Sequence, residues 1–237
     1  MTKSNRNHYL DNFRGFTVIS MVVFHLLYNI NYYRPIGWYD GTLINKIWQL
    51  SIAISFFIIS AATSTILSRE KNIKRGIKTS LLGFLISIVT YIFARDQLIV
   101  WGVLNGIGIS MIIGGLLQGR VNFSINTSLI FIVLFALTYN MNKYGLYRFD
   151  FFKLLYDKNL FFLGFPSSSF YSTDYFPMIP WTFIFLAGLG IGSYLNSKNL
   201  LGPRGSDNPI AFIGRHAMVI YLAHQVVLYP LVSIFMA

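Results

Sequence analysis

Cysteine is absent from this chain, which excludes disulfides, thiolate nucleophiles and Cys-ligated metal sites. Charge is scarce as well. Charged residues make up 11% of the 237 positions and hydrophobic ones 54%, whereas a soluble domain carries roughly 25% charged residues. So little polar surface cannot coat a water-soluble globule, and the solvent left for the apolar faces is lipid. Acidic residues are the rarer sign, with 8 Asp and Glu against 19 Lys and Arg and a net charge of +11. In a soluble protein that excess would point to nucleic acid. Here most basic residues fall between apolar runs, where they hold loops on the cytoplasmic side of a membrane, and no nucleic-acid partner is expected. Also missing are a Walker loop, a dinucleotide fingerprint, a His-rich metal pattern and a GxSxG elbow, so no metal is implied.

What is present is a series of apolar runs, at 13–33, 46–68, 77–94, 99–118, 124–142, 176–196 and 209–236. Each is about 18 residues or longer, enough to cross a bilayer as a helix. They predict an all-α polytopic membrane bundle of about seven transmembrane helices, with residues 1–237 as one domain. The basic MTKSNRN before the first run has the look of a signal peptide. Arg14 interrupts that run, however, and YNINYYRP offers no small-residue cleavage site, so the run reads as an uncleaved first span.

Lys and Arg counts set the orientation. With a cytoplasmic N-terminus the inner segments hold eleven, namely Lys3, Arg6, Arg69, Lys71, Lys74, Arg75, Lys78, Arg120, Lys198, Arg204 and Arg215. The outer segments hold seven, namely Arg34, Lys46, Arg95, Lys143, Arg148, Lys153 and Lys158. Five of the inner eleven crowd into SREKNIKRGIK at 68–78, read as a short loop. The expectation is a plasma-membrane protein with its N-terminus inside and its C-terminus outside. The long outer connection at 143–175 contains FDFFKLLYDKNLFFLGF, which suits a short interfacial amphipathic helix or re-entrant flap, or a plain loop.

Ionisable residues inside a span cost several kcal/mol and need a reason to be there. Asp11, Arg14 and His25 share one face of the first span, since Arg14 and His25 differ by about 20° after whole turns and stand roughly 16 Å apart along the axis. Tyr28 and Asn29 continue the stripe a turn further on. The bland reading pairs Asp11 with Arg14 and gives His25 a hydrogen bond to a neighbouring helix. In the last span, Asp207 or Asn208 with Pro209 signals a helix start. Arg215 and His216 follow near the cytoplasmic end, then Tyr221, His224 and Gln225 on one face. His224 is a second candidate base, although an inter-helix hydrogen bond is the commoner use for such a residue. In GVLNGIGIS the glycines around Asn105 either let helices approach closely or leave room for a thin pantetheine chain. In DYFPMIPW, Pro177 and Pro180 shape the outer mouth, and Asp174 and Trp181 can line a sugar site or simply mark the interface.

RGFTVISMVVFH at 14–25 resembles the arginine, ten residues, histidine motif of acyltransferase-three membrane enzymes. WGVLNGIGIS, FFLGFPSSSFYSTDYFPMIPW and IGRHAMVIYLAHQVVLYPL resemble more closely the bacterial relatives of the heparan-α-glucosaminide N-acetyltransferase catalytic domain, in the same order and over nearly the whole chain. The resemblance implies a transmembrane acyltransferase that moves acetyl groups from cytosolic acetyl-CoA to an acceptor at the other face. It also implies that His25 takes the catalytic histidine position of the acyltransferase-three motif and Arg14 that of its arginine. The chain departs from the lysosomal enzyme, whose first-span residue at the position of His25 is asparagine and whose histidine lies in the next loop. The loop YYRPIGWYDGTLINK holds none.

The expected function is acyl transfer from acyl-CoA to a hydroxyl or amine of a sugar or cell-envelope glycan. His25 would be the general base. Arg14 would hold CoA or the thioester oxyanion, and Arg75, Lys78 and Arg215 the nucleotide phosphates. Asn105 would contact the pantetheine arm, and Asp174, Trp181, Tyr221 and His224 the acceptor. Self-association is left open. The alternative from another class is a carrier for a small solute or lipid-linked sugar, which buried Arg, His and Asp would also suit, although no inverted repeat is visible. A third reading, a purely structural helical subunit of a larger complex, predicts no cavity converging on His25.

Overall fold

The computed structural model describes residues 6–143, 146–147 and 149–236. Lys3 and Arg148 of the charge count lie outside these. Among the described residues there are nine α-helices and no strand: α1 His8–Tyr33, α2 Leu43–Thr65, α3 Arg69–Phe93, α4 Val103–Leu117, α5 Ile125–Thr138, α6 Asp150–Asp157, α7 Met178–Ser197, α8 Pro209–Arg215 and α9 Ala217–Met236. Five of them, α1, α2, α3, α7 and α9, are long and apolar enough to cross a membrane, while α4 and α5 are apolar but shorter. The protein is an all-helical integral membrane protein, and each of the seven expected runs appears as helix.

Local chemistry sets the boundaries. The Asn7 side chain accepts from Leu10 N at the start of α1, and α1 stops at Tyr33 because Arg34 precedes a proline and is pushed out of the helical region. Asn208, rather than Asp207, caps α8 by accepting from Ala211 N, with Pro209 in the first turn. Ser124 and Thr127 form a reciprocal capping box on α5.

Two boundaries differ from the sequence reading. The basic 68–78 segment is not a loop: residues 69–78 are the first turns of α3. Lys, Arg and Glu are good helix formers, and Asn72, Gly76, Thr79, Ser80 and Gly83 give the segment a buried stripe at three- and four-residue spacing. The last span is interrupted at His216, whose ring Nδ1 and backbone N–H both turn back to the Phe212 carbonyl, at 2.9 and 3.3 Å.

The chain forms two compact units, one from Met1–Ile59 with Asn199–Ala237 and the other from Ser60–Lys198. In the first, α1 packs on α8 and α9. In the second, α4 packs on α3 and α7, and α5 on α7. Small residues permit these contacts. A Cβ on Gly76 would come 2.6 Å from the Gly108 carbonyl oxygen, and one on Gly190 2.2 Å from Ser128 Oγ. Hydroxyls tie the seams further: Ser128 Oγ donates to the Ala187 carbonyl at 2.8 Å, and Ser110 and Thr182 pair at 3.2 Å. The 143–175 connection contains a short amphipathic helix, α6, one of the forms the sequence left open there, and its Tyr156 forms a buried cluster with Met141 and Phe165.

Candidate active site

Close backbone approach builds the site in the first unit. A Cβ on Gly15 would lie 2.1 Å from the Ile210 carbonyl oxygen, and one on Gly214 only 1.8 Å from that of Asp11. The first turns of α1 therefore lie directly on α8. This brings charged groups together. Arg14 Nη1 donates to Asp11 Oδ1 at 2.9 Å, and Arg6 Nε lies 3.6 Å from Asp11 Oδ2. Arg215 donates to both Asp207 oxygens, at 2.7 and 3.1 Å, and its guanidinium holds the Asp207 carboxyl below the usual carboxylate range. Backbone bonds join Arg6 to Arg204 and His8 to Arg204. One end of this unit thus collects Arg6, Arg14 and Arg215 around two aspartates, with the Arg204 backbone bonded alongside.

Three turns further along α1, the polar stripe meets α9. Asn29 Nδ2 donates to Gln225 Oε1 at 3.0 Å, and Gln225 Nε2 lies 3.0 Å from His25 Nδ1. An amide nitrogen only donates, so His25 accepts at Nδ1 and its neutral ring carries the proton on Nε2. His224 is arranged the other way. Its Nδ1 lies 2.5 Å from the Tyr221 carbonyl oxygen, which only accepts. The proton is therefore on Nδ1 and the lone pair on Nε2, which is buried without a hydrogen-bond partner. The two ring centroids are 4.8 Å apart. Behind His25, Tyr39 donates to the Phe24 carbonyl at 2.9 Å and Trp48 Nε1 to Ser20 Oγ at 2.8 Å, with the Phe24 ring edge-on to His25 at 5.7 Å. Burial pushes the Tyr39 phenol up to about 12.

The family model for the heparan-alpha-glucosaminide N-acetyltransferase catalytic domain matches residues 6–226. The chain belongs to this family. It is a family of membrane acetyltransferases, and the match runs through every helix that carries a residue of interest. No curated protein and no solved structure matches the chain. The likeness to the acyltransferase-three motif stands on the Arg14 to His25 spacing alone.

Of the residues singled out in this N-acetyltransferase-family chain, Arg14, His25, Arg215, Tyr221 and His224 fall in the first unit and Asn105, Arg75, Lys78, Asp174 and Trp181 in the second. Asn105 is fully buried and donates to the Ser80 carbonyl at 3.3 Å. A Cβ on Gly83 would strike its Oδ1 at 2.5 Å, so neighbouring helices fill the room the small residues make. Arg75 is partly buried and Lys78 exposed. Asp174 Oδ2 accepts from Val103 N at 3.1 Å and so caps α4. Trp181 is buried, its ring 4.5 Å from Phe176 and 5.4 Å from Phe135. Pro177 and Pro180 are likewise fully buried. His224 bonds within its own helix, not across to another.

Sequence reasoning undervalued Gln225 and Asn29, which orient His25. It also passed over Trp101, which has a backbone φ of +60° and a buried indole N–H without a partner. The signal for Gln225 was there: a side-chain amide in an apolar span needs a partner as much as a histidine does.

Proposed function

We propose that this chain transfers an acetyl group from acetyl-CoA to a hydroxyl or amine on a sugar or cell-envelope glycan. The observation that carries the reading is the layout of α1. An arginine-rich end, suited to the phosphates of CoA, stands roughly 16 Å along the helix axis from a paired-histidine site, a span suited to an extended pantetheine arm. Arg14 keeps its charge at any working pH, and Asp11 aims it. His25 and His224 meet the thioester and the acceptor.

The chain works as a single catalytic domain over 1–237 in the plasma membrane. Its cytoplasmic N-terminus puts the arginine end where CoA is found, and its C-terminus lies outside. Arg75 and Lys78, on the first turns of α3, add to the cytoplasmic positive charge. Asn105 braces the seam beside α4. Asp174 and Trp181 shape the 172–181 segment on the acceptor side from beneath, one as a cap and the other as packing under Phe176. Tyr221 completes the polar surface through its carbonyl.

The purified protein in detergent should melt at a higher temperature with acetyl-CoA than without, because a ligand of the native state stabilises it by mass action. It should also release free CoA when offered amino sugars or glycans. His25→Leu should remain folded, with some loss of melting temperature from the stranded Gln225 amide, and lose about 10²–10⁴-fold in transfer. A protein indifferent to acetyl-CoA in both assays would favour the carrier alternative and remove the enzyme reading.

A further inference from the structure

We propose that His224 moves the proton in acyl transfer while His25 serves as a hydrogen-bond donor to the thioester carbonyl. This rests on the acyl-transfer reading above and assigns the two rings different work. The assignment follows from their hydrogen bonds. The Tyr221 carbonyl can only accept, so it keeps the His224 proton on Nδ1 and leaves a bare lone pair on Nε2. That atom is buried and has no partner, an unmet desolvation cost that a proton-bearing substrate would relieve. The Gln225 amide, itself held by Asn29, donates to His25 Nδ1. His25 Nε2 then carries its hydrogen and has no lone pair with which to act as a base. Rings 4.8 Å apart can address one reacting carbonyl from two directions.

The step balances without a further reactant. His224 Nε2 takes the proton of the acceptor O–H or N–H as the acceptor lone pair bonds to the acyl carbon. Charge developing on the thioester oxygen is stabilised by His25 Nε2–H, which is not transferred. The C–S bond then breaks with its electron pair on sulfur, and His224 gives its proton to that thiolate. The products are the acetylated acceptor and CoA thiol, and both histidines return to their starting tautomers. Gln225 and Asn29 are positioning residues, because they act through His25.

The test compares replacements that keep or remove an N–H donor, using acetyl-CoA with a sugar acceptor and, separately, with hydroxylamine, which attacks thioesters without a base. His224→Gln should lose about 10²–10⁴-fold with the sugar and much less with hydroxylamine. His25→Gln retains an amide donor and should outperform His25→Leu by up to roughly 10²–10³-fold, the worth of one oxyanion donor, and with both nucleophiles alike. Gln225→Glu, once ionised, can only accept, so it should draw the His25 proton to Nδ1 and reduce both reactions alike, with some loss of melting temperature for the carboxylate placed in the span. The idea falls if folded His224→Gln matches wild type with the sugar. It falls equally if His25→Gln and His25→Leu are equally inactive with the sugar yet spared with hydroxylamine, which would make His25 the base. The His25 pair decides the matter should the His224 variant not fold. If wild type turns over acetyl-CoA with neither nucleophile, it is the acyl-transfer reading that fails.

Discussion

Asp174 shows what a single residue contributes outside the paired-histidine site. Its carboxylate caps α4 through Val103 N, and the neighbouring Gly102 leaves room for it, since a Cβ there would come 2.8 Å from Oδ2. Burial pushes the carboxyl up to about 6 from 3.8, and the Val103 bond only partly opposes this. A folded-state value above the unfolded one means that the folded protein holds the proton more tightly between these limits. Stability should thus be greatest below about pH 4, fall as pH rises to about 6 and level off above. Asp174→Asn, which cannot titrate, should abolish that part of the slope. Melting temperatures of both proteins across this range check it, and an equal slope in the variant would rule it out. At this scale the sequence marked out candidate residues and said little about what they touch. Arg14 and His25 stood out because charge and imidazole are costly in an apolar run. Gln225 lies 200 positions from His25 and 196 from Asn29, and periodicity can assign a face to a residue without saying which helix that face will meet.

At the scale of elements, hydropathy located all seven apolar helices, because run length is what a bilayer selects. It misread residues 69–78, where charge density hid a helix whose buried stripe is small and polar instead of apolar, and it had no means of seeing the break at His216. The glycine contacts were legible as small-residue spacing, but their partners were not. Gly15 and Gly214 carry the α1–α8 crossing, so a methyl group at either must push the backbones apart. Gly214→Ala should destabilise by about 1–3 kcal/mol or more, as overpacking does, and weaken acetyl-CoA binding by displacing Asp11 and Arg14. Gly37→Ala is the matched control, since nothing lies within 4 Å of a Cβ there. Thermal melting and acetyl-CoA titration of the two variants compare them directly. Equal behaviour would mean that the crossing tolerates separation and that Gly15 and Gly214 do not set the site.

For the whole molecule, the number of membrane crossings turns on α4 and α5, the two shorter apolar helices. With 15 and 14 residues they extend only about 21–23 Å at 1.5 Å per residue, short of the roughly 30 Å hydrocarbon layer. If both cross, the chain spans seven times; if both turn back, it spans five times. Either count is odd, so the termini fall on opposite sides in both cases and cannot distinguish them. Nor can the 143–175 connection, because one crossing or three from the start of α3 puts it on the far side. The turn between α4 and α5 can. It carries Arg120, one of the eleven basic residues assigned to the inner side, and moving it outward would leave ten against eight. Seven crossings preserve the larger positive-inside bias, and thinning of the bilayer around short helices costs only fractions of a kcal/mol per Å. Seven is therefore the expectation. Ser68, Asn122 and Ser168 are exposed and uncharged, so cysteines there leave the charge balance intact, and the chain has no other cysteine to label. In intact cells a membrane-impermeant maleimide should label Ser168→Cys, and should reach Ser68→Cys and Asn122→Cys only after the membrane is opened. Labelling of Asn122→Cys together with Ser168→Cys would instead make α4 and α5 a re-entrant pair. Trp101 and Asp174, at the start of α4, would then belong to a hairpin dipping into the membrane from the acceptor side.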